Sequence, residues 1–338
     1  MPPALGEFAG AVASVVEATF WAIRFGELLK GKDRGSSSKA DASPVTAADM
    51  ALQAFLVRAL TKRYGAIPVV GEESTAVFTG PQGSELRSHV HEFARLATPG
   101  ESDSDIDEAI ESGNADGTSS QHWIIDPIDG TRGYMRGQQY CVCLALVRDG
   151  IPVLGLAGCP RLGPRGWLMG AVRGGGTWLW DLGDFSVPPV AMLATGNNRS
   201  TLIACESSGA SDRAKSRLRR IGELLGAPLS ARPMESQCKF VLVAAGEADL
   251  AVRLASRERE RNRDMVWDYA GAVVFAEEAG AIMTDCDGVP LRFGRGRQIE
   301  GNRGILCAAP WLHARAVEAC RAADREFDVD VSPSGDQR

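Results

Sequence analysis

The period of the apolar positions changes several times along the chain, and each change marks an element. From Glu7 to Lys30, Phe8, Val12, Val15, Val16, Phe20, Ile23 and Leu28 recur at helical spacing, which predicts an amphipathic helix covering a sheet. Gly31 to Ser43, rich in Gly, Ser, Lys and Asp, reads as an exposed connection. A second helix opens in Ser43-Pro44-Val45-Thr46-Ala47-Ala48-Asp49 and continues through Leu52, Leu56 and Leu60 to a stop near Gly65. Ile67-Pro68-Val69-Val70 is a short strand that ends in Gly71-Glu72-Glu73-Ser74. Thr98 to Ser120, crowded with Asp, Glu, Ser and Gly, reads as a solvated loop. An apolar strand at Trp123 then runs into the turn Asp126-Pro127-Ile128-Asp129-Gly130-Thr131-Arg132-Gly133.

Beyond that turn, Gln139 to Arg148 and Ile151 to Pro160 flank Asp149-Gly150, a hairpin signal. Trp167 to Val172 and Thr177 to Trp180 flank a glycine run in the same way, so the first half predicts a mainly antiparallel sheet. Phe185 to Asn198 reads as a passage between domains. The second half alternates strand and helix: Thr201 to Ala204, a basic helix at Ser211 to Leu225, then Ser236 to Ala245 and Ala248 to Leu254. The run Arg213, Lys215, Arg217, Arg219 and Arg220 reads as a solvated face. A helix leading to Ala279, with small residues on one side and Gly280 as its stop, is suited to close packing. The expected organisation is an N-terminal α+β domain over residues 1–197 and a C-terminal α/β domain over 198–338.

Composition narrows the function. With 338 residues, 44% of them hydrophobic, there is ample material for a core. A net charge of −6 lacks the basic footprint of a protein that holds a nucleic acid polymer by its backbone. The eight cysteines form no CxxC pair, which favours free thiols in a reducing compartment, and Cys141 and Cys143 share one strand face. No apolar run is expected to reach the length of a membrane span, and the N-terminus lacks a secretory pattern. A soluble intracellular protein is expected, in the cytoplasm or, after loss of a targeting peptide, in a chloroplast or mitochondrion. No obligate protein partner is evident.

The candidate chemistry lies in the acids. Asp126 and Asp129, three apart on a turn, either shape that turn or converge on a hard cation, while backbone N–H groups after them suit a phosphate oxygen. Of Glu72 and Glu73, alternation leaves one to face the same place. Asp49 either closes a capping box with Thr46 or faces the site and orients a water. Asp268, after Trp267 in the first turn of an apolar helix, either complements the helix dipole or supplies a further ligand. In Met234-Glu235-Ser236-Gln237-Cys238-Lys239 a cap explains the serine, whereas a lysine beside Phe240 and Val243 suits a partly buried phosphate contact.

The set Gly71-Glu72-Glu73-Ser74, Asp126-Pro127-Ile128-Asp129-Gly130-Thr131 and Trp267-Asp268 resembles the lithium-sensitive, magnesium-dependent phosphatases of the inositol monophosphatase superfamily. Ser43 to Asp49, Arg132 to Tyr140 and Ser236 to Lys239 resemble its 3′(2′),5′-bisphosphate nucleotidase branch. The resemblance implies a layered α-β-α-β-α sandwich and hydrolysis of the 3′-phosphate of 3′-phosphoadenosine 5′-phosphate to AMP, with the 5′-phosphosulfate as a further substrate. It implies two or three Mg2+ ions held by Glu72, Asp126, Asp129, Asp268 and the Ile128 carbonyl. Asp49 and Thr131 position the attacking water, with Glu72 assisting; Gly130 and Thr131 hold the scissile phosphate, and Ser236, Lys239 and Arg253 contact the nucleotide. This chain differs from the branch in Arg132, where lysine is usual, in Tyr269, where His or Thr is common, and in lacking a histidine at Cys205 to Asp212. The alternatives are an inositol polyphosphate 1-phosphatase or other sugar phosphatase, and a catalytically quiet nucleotide sensor.

Overall fold

The structure is a computed structural model that describes residues 1–29, 36–38, 44–194, 200–254 and 264–329. A 3-10 turn at Pro3–Phe8 leads into helix α1 (Ala9–Leu29). Its buried stripe is Val12, Val15, Ala18, Ala22 and Phe25, whereas Phe20, Ile23 and Leu28 are 48%, 37% and 39% exposed. The expected stripe is thus shifted toward Ala18, Ala22 and Phe25, and the helix meets the sheet closely through Thr19, whose hydroxyl oxygen would lie 2.0 Å from a Cβ on Gly158 of the sheet. The stretch Pro3–Leu29 also corrects the expectation that no run is long enough to span a membrane, since its length and mean hydropathy of 1.3 suffice; 56% of that window is buried inside the protein.

Apart from strand β1 (Ser36–Ser38), which pairs antiparallel with β2 (Pro44–Thr46), the expected connection at Gly31 to Ser43 lies outside the described residues. Helix α2 (Ala47–Tyr64) opens on the anticipated capping box between Thr46 and Asp49 and stops at Gly65, whose φ of 80° suits glycine. Strand β3 (Val69–Gly71), helix α3 (Gly80–Ala97) and helix α4 (Asp103–Glu111) follow. Helix α4 overturns the solvated loop expected at Thr98 to Ser120. Ser102 and Asp105 form a second capping box, and Ile106, Ala109 and Ile110 are buried at helical spacing.

Strand β4 (Gln121–Asp129) runs into the short helix α5 (Thr131–Met135), followed by strands β5 (Cys141–Arg148), β6 (Ile151–Cys159), β7 (Trp167–Val172), β8 (Thr177–Asp181) and β9 (Val190–Met192). The sheet order is β3-β4-β5-β6-β7-β8-β9, with β3 and β4 parallel and every other pair antiparallel. Asp149 and Gly150 turn the β5–β6 hairpin with φ of 51° and 76°. The expected passage at Phe185 to Asn198 instead carries edge strand β9, and residues 195–199 lie outside the described residues.

In the second half, strand β10 (Leu202–Glu206), helix α6 (Asp212–Leu225), strand β11 (Leu229–Pro233), helix α7 (Cys238–Ala244) and strand β12 (Leu250–Arg253) precede helix α8 (Ala270–Glu278), strands β13 (Ile282–Thr284) and β14 (Ile305–Ala308), and helix α9 (Pro310–Val329). Their sheet runs β11-β10-β12-β14-β13. The basic run is only partly solvated, because Arg217 turns inward to pair with Asp324 and Arg220 pairs with Glu326, fastening α6 to α9. A charged segment at Arg257 to Arg263 lies outside the described residues.

Period-two alternation on β5 explains the layering. Val142, Leu144 and Leu146 join α1 and α2 in one core, while Cys141, Cys143, Ala145 and Val147 join α7 and α8 in another. A third core packs α6 and α9 on the outer face of the smaller sheet. The result is the layered α-β-α-β-α arrangement that the sequence implies. Helix α8 lies against β6 at backbone distance: a Cβ on Gly155 would come 2.2 Å from the Gly271 carbonyl oxygen. Gly155→Ala is therefore expected to cost about 1–3 kcal/mol by forcing the two layers apart, read as a lower denaturation midpoint in urea.

Candidate active site

Asp126 and Asp129 face the same way because β4 carries a bulge. Asp126 pairs with Cys143 and Asp129 with Cys141, so β4 takes three steps against two on β5. Residues three apart on a regular strand face opposite sides; one extra residue restores a common side. Pro127 sits within the irregular stretch, where its missing N–H costs little.

One carboxylate oxygen from each of Asp126, Asp129 and Asp268 lies within 4.8 Å of the other two. Asp268 ends a 3-10 turn at Val266–Asp268, ahead of α8 and not in its first turn as expected. Asp126 is 2% exposed, and its Oδ1 accepts no hydrogen bond among the described residues. Burial, followed by the charges of Glu72, Asp129 and Asp268, holds its carboxyl well above the ordinary range. Burial also raises Asp129, and it pushes Asp268 up to about 6 against the pull of Arg253. An unsatisfied buried carboxylate oxygen within a set of converging acids is the donor arrangement of a hard divalent cation, so these residues fit one.

The pH dependence follows from the sign of those shifts. Carboxyls whose folded pKa is raised bind more protons folded than unfolded, so the metal-free protein loses stability as pH rises from about 4 through about 6. A bound cation removes that penalty. The gain in melting temperature on adding magnesium is expected to be small near pH 4 and to grow across this window, as differential scanning calorimetry will show.

Glu72 follows β3, with its N–H donating to the Ile125 carbonyl at 3.2 Å, and its side chain stands beside Asp126. Glu73 points into the protein, as alternation requires. Buried Gln53 of α2 holds this turn. Its Nε2 donates to the carbonyls of Glu73 at 2.7 Å and Ile110 at 2.9 Å, and its Oε1 accepts from the Glu73 N–H at 2.9 Å. Gly71 and Gly113 leave the room it occupies, since a Cβ on either would come within 2.5 Å of its amide. A glutamine in an otherwise apolar helical stretch was the available signal.

Asp49 closes the capping box and also reaches Thr131. Its Oδ2 accepts from the Thr46 N–H at 2.9 Å and from the Thr46 hydroxyl, while its Oδ1 lies 3.2 Å from the hydroxyl of buried Thr131. That hydroxyl is also 3.2 Å from the Ile128 carbonyl. With its single proton donated to one of these acceptors, Oγ1 keeps lone pairs to receive a hydrogen bond from a water. Gly130 turns the chain into α5 at a φ of 95°, and a Cβ there would lie 3.2 Å from that of Ser236, so the two halves of the chain meet here.

Ser236 does not open a helix. It sits at a φ of 62°, a left-handed conformation that costs a non-glycine residue about 1 kcal/mol, with its Oγ accepting from the Cys238 N–H at 3.2 Å. The Gln237 N–H donates to Asp129 Oδ2 at 2.6 Å. Half-buried Lys239 lies with its ammonium 5.4 Å from the Phe240 ring centroid, and its charge partly opposes the rise of Asp129 and Asp268. Arg253 stands behind Asp268, 3.9 Å from its Oδ2, tied to Asp264 and to the Tyr269 hydroxyl, which in turn donates to Asp264 at 3.0 Å. Tyr269 thus holds Arg253 in place.

Arg297, which no sequence signal singled out, joins the two walls of the site. It donates to the carbonyls of Gly71 at 2.5 Å, Gly113 at 3.2 Å and Ala115 at 3.1 Å, and its guanidinium lies 4.9 Å from the Trp267 ring centroid. Its carbonyl contact immediately precedes Glu72, and its aromatic contact immediately precedes Asp268.

The model of the inositol monophosphatase family matches residues 8–325. The 3′(2′),5′-bisphosphate nucleotidase of Schizosaccharomyces pombe is 32% identical over 336 residues, spanning 92% of this chain and 94% of that protein. The probable 3′(2′),5′-bisphosphate nucleotidase 4 of Arabidopsis thaliana is 31% identical over 306 residues, spanning 86% and 87%. Among solved structures, an IMPase of Thermotoga maritima superposes with a TM-score of 0.64 over 94% of this chain and 97% of its own, at 16% identity, a likeness of fold.

Proposed function

We propose that this chain, which belongs to the inositol monophosphatase family, removes the 3′-phosphate of 3′-phosphoadenosine 5′-phosphate, yielding AMP and phosphate, and acts on the corresponding phosphosulfate. The chain is a phosphatase, and its family depends on divalent metal. The observation that carries the proposal is the convergence of Asp126, Asp129 and Asp268 beside the Thr131–Asp49 pair. The likeness to the nucleotidase of Schizosaccharomyces pombe favours a nucleotide as the carrier of the phosphate.

In this proposal Glu72, Asp126, Asp129, Asp268 and the Ile128 carbonyl hold Mg2+. The bound cations supply an acidified water and neutralise phosphate charge. The protein's own groups do the rest. Asp49 fixes the Thr131 hydroxyl, and Thr131, assisted by Glu72, orients the water for direct in-line attack. The backbone at Gly130 and Thr131 receives the scissile phosphate, while Ser236, Lys239 and Arg253 hold the rest of the nucleotide on the opposite wall. Lithium sensitivity is part of the same proposal.

The test is phosphate release at fixed magnesium, comparing the bisphosphate nucleotide with inositol phosphates and fructose 1,6-bisphosphate. The largest kcat/KM is expected with the nucleotide. Preference for an inositol phosphate refutes the nucleotidase reading, and absence of turnover on every substrate favours the quiet sensor.

A further inference from the structure

Behind the carboxylates lie four thiols that phosphate hydrolysis leaves without a role. Cys141 and Cys143 share one face of β5, Cys159 ends β6 and Cys238 opens α7, and none is more than 2% exposed. The sulfurs of Cys141, Cys159 and Cys238 all lie within 4.8 Å of one another, and Cys143 Sγ is 3.3 Å from Cys141 Sγ. Buried cysteines ordinarily act as small hydrophobes, and that role sets no requirement for their sulfurs to meet. These come from three elements at a spacing close to that of a metal centre. In a trigonal site with sulfurs about 2.3 Å from the ion, the sulfurs lie about 4.0 Å apart.

The cluster also has an entrance. Cys141 Sγ lies 3.8 Å from Asp129 Oδ2, and Asp129, Cys141 and Cys143 form a second convergent set. Asp129 is partly exposed, so an ion that enters the carboxylate cleft meets the thiols directly behind it.

We propose that Cys141, Cys159 and Cys238 form a site for one soft, thiophilic cation of the Zn2+, Cd2+ or Cu+ class, separate from the oxygen-lined site for the hard cation. Thiolate sulfur selects such ions as carboxylate oxygen selects magnesium. Each thiol that coordinates releases its proton to solvent. Filling the site shuts the phosphatase, because Cys141 contacts Asp129 and Cys238 directly follows Gln237, whose N–H holds Asp129 Oδ2. Drawing these two cysteines onto an ion moves Asp129 away from its partners.

The experiment uses the full chain, reduced and in excess magnesium, titrated with cadmium. Thiolate-to-cadmium charge transfer gives an ultraviolet band that oxygen ligands do not, so binding is read independently of activity. The expected result is a band saturating at one cadmium per chain, with phosphatase activity falling at least tenfold along the same curve. Cys159→Ala is expected to keep its basal activity and circular dichroism spectrum while losing both the stoichiometric band and the inhibition. Cys286 lies beside Cys320 as a separate pair, and the double variant Cys286→Ala/Cys320→Ala is expected to keep both. X-ray absorption of the wild-type cadmium complex, counting three sulfur neighbours, serves should Cys159→Ala fail to fold. The proposal is overturned by no band in the folded wild type, by a band that survives Cys159→Ala, or by fewer than three sulfurs around cadmium.

Discussion

Asp129→Asn is expected to remain folded and to lose phosphatase turnover by about 10²–10³-fold or more, the scale on which one aligned charged or polar group acts in a transition state. The substitution keeps the shape of the side chain and removes its charge. The amide oxygen will stay on the Gln237 N–H, now 2.6 Å from Asp129 Oδ2, because an amide nitrogen cannot accept there. The NH2 group is then turned toward Asp126 and Asp268, where it presents donors to a position that requires lone pairs. Two measurements check this: kcat at saturating magnesium, and melting temperature with and without it. With one of three crowded acids neutralised, the metal-free variant should melt above the wild type, while the gain on adding magnesium shrinks. A turnover within a few-fold of wild type would remove Asp129 from the site.

Thr131→Val tests the other half of the chemistry. Valine preserves the volume of this buried side chain and removes the hydroxyl that lies 3.2 Å from both Asp49 Oδ1 and the Ile128 carbonyl. The expected loss is about 10²–10⁴-fold in kcat, the range for a group that directs proton movement. The magnesium concentration for half-maximal rate should change little. Asp49→Asn should reproduce much of the loss, and the double variant should be scarcely worse than either, since the two residues act as one unit. Additive losses would show that they act separately. A large rise in the magnesium requirement of Thr131→Val would place the threonine among the ligands instead.

Much of this site was legible because its signals are local. Asp126 to Thr131 packs acids, a glycine and a hydroxyl into six positions, and Thr46 with Asp49 is a capping pattern three residues long. What was illegible depends on distant partners. Gln53 is recognised by Glu73 and Ile110, 20 and 57 residues on, and Arg297 by Gly71, 226 residues before it. No spacing rule reaches so far. The bulge in β4 is intermediate: Pro127 suggests an irregular ladder, but only the register with β5 shows that it brings Asp126 and Asp129 to one side. Helix α4 was misread for another reason. The acids Asp103, Asp105, Asp107 and Glu108 suggest a solvated loop, although Asp107 faces α3 and pairs with Arg87 and His91, while Ile106, Ala109 and Ile110 and the Ser102–Asp105 box carried the helical signal in a short stretch. In α1 and the 3-10 turn before it the expected stripe holds at Phe8, Val12 and Val15 but drifts outward at Phe20, Ile23 and Leu28, because the buried face continues through the less conspicuous Ala18, Thr19 and Ala22.

The contact between Arg297 and Gly71 also bears on when the protein becomes competent. Joining residues 226 positions apart closes a very long loop, and such contacts form only after most of the chain is already ordered. Strand β3, and with it Glu72, can pair with β4 early, and α8 can dock on β6 through Gly155 and Gly271, yet the positions of Glu72 and Asp268 relative to each other await this guanidinium. Assembly of the carboxylate cluster is therefore expected late in folding, once the surrounding scaffold is strong enough to hold the mutually repelling acids together.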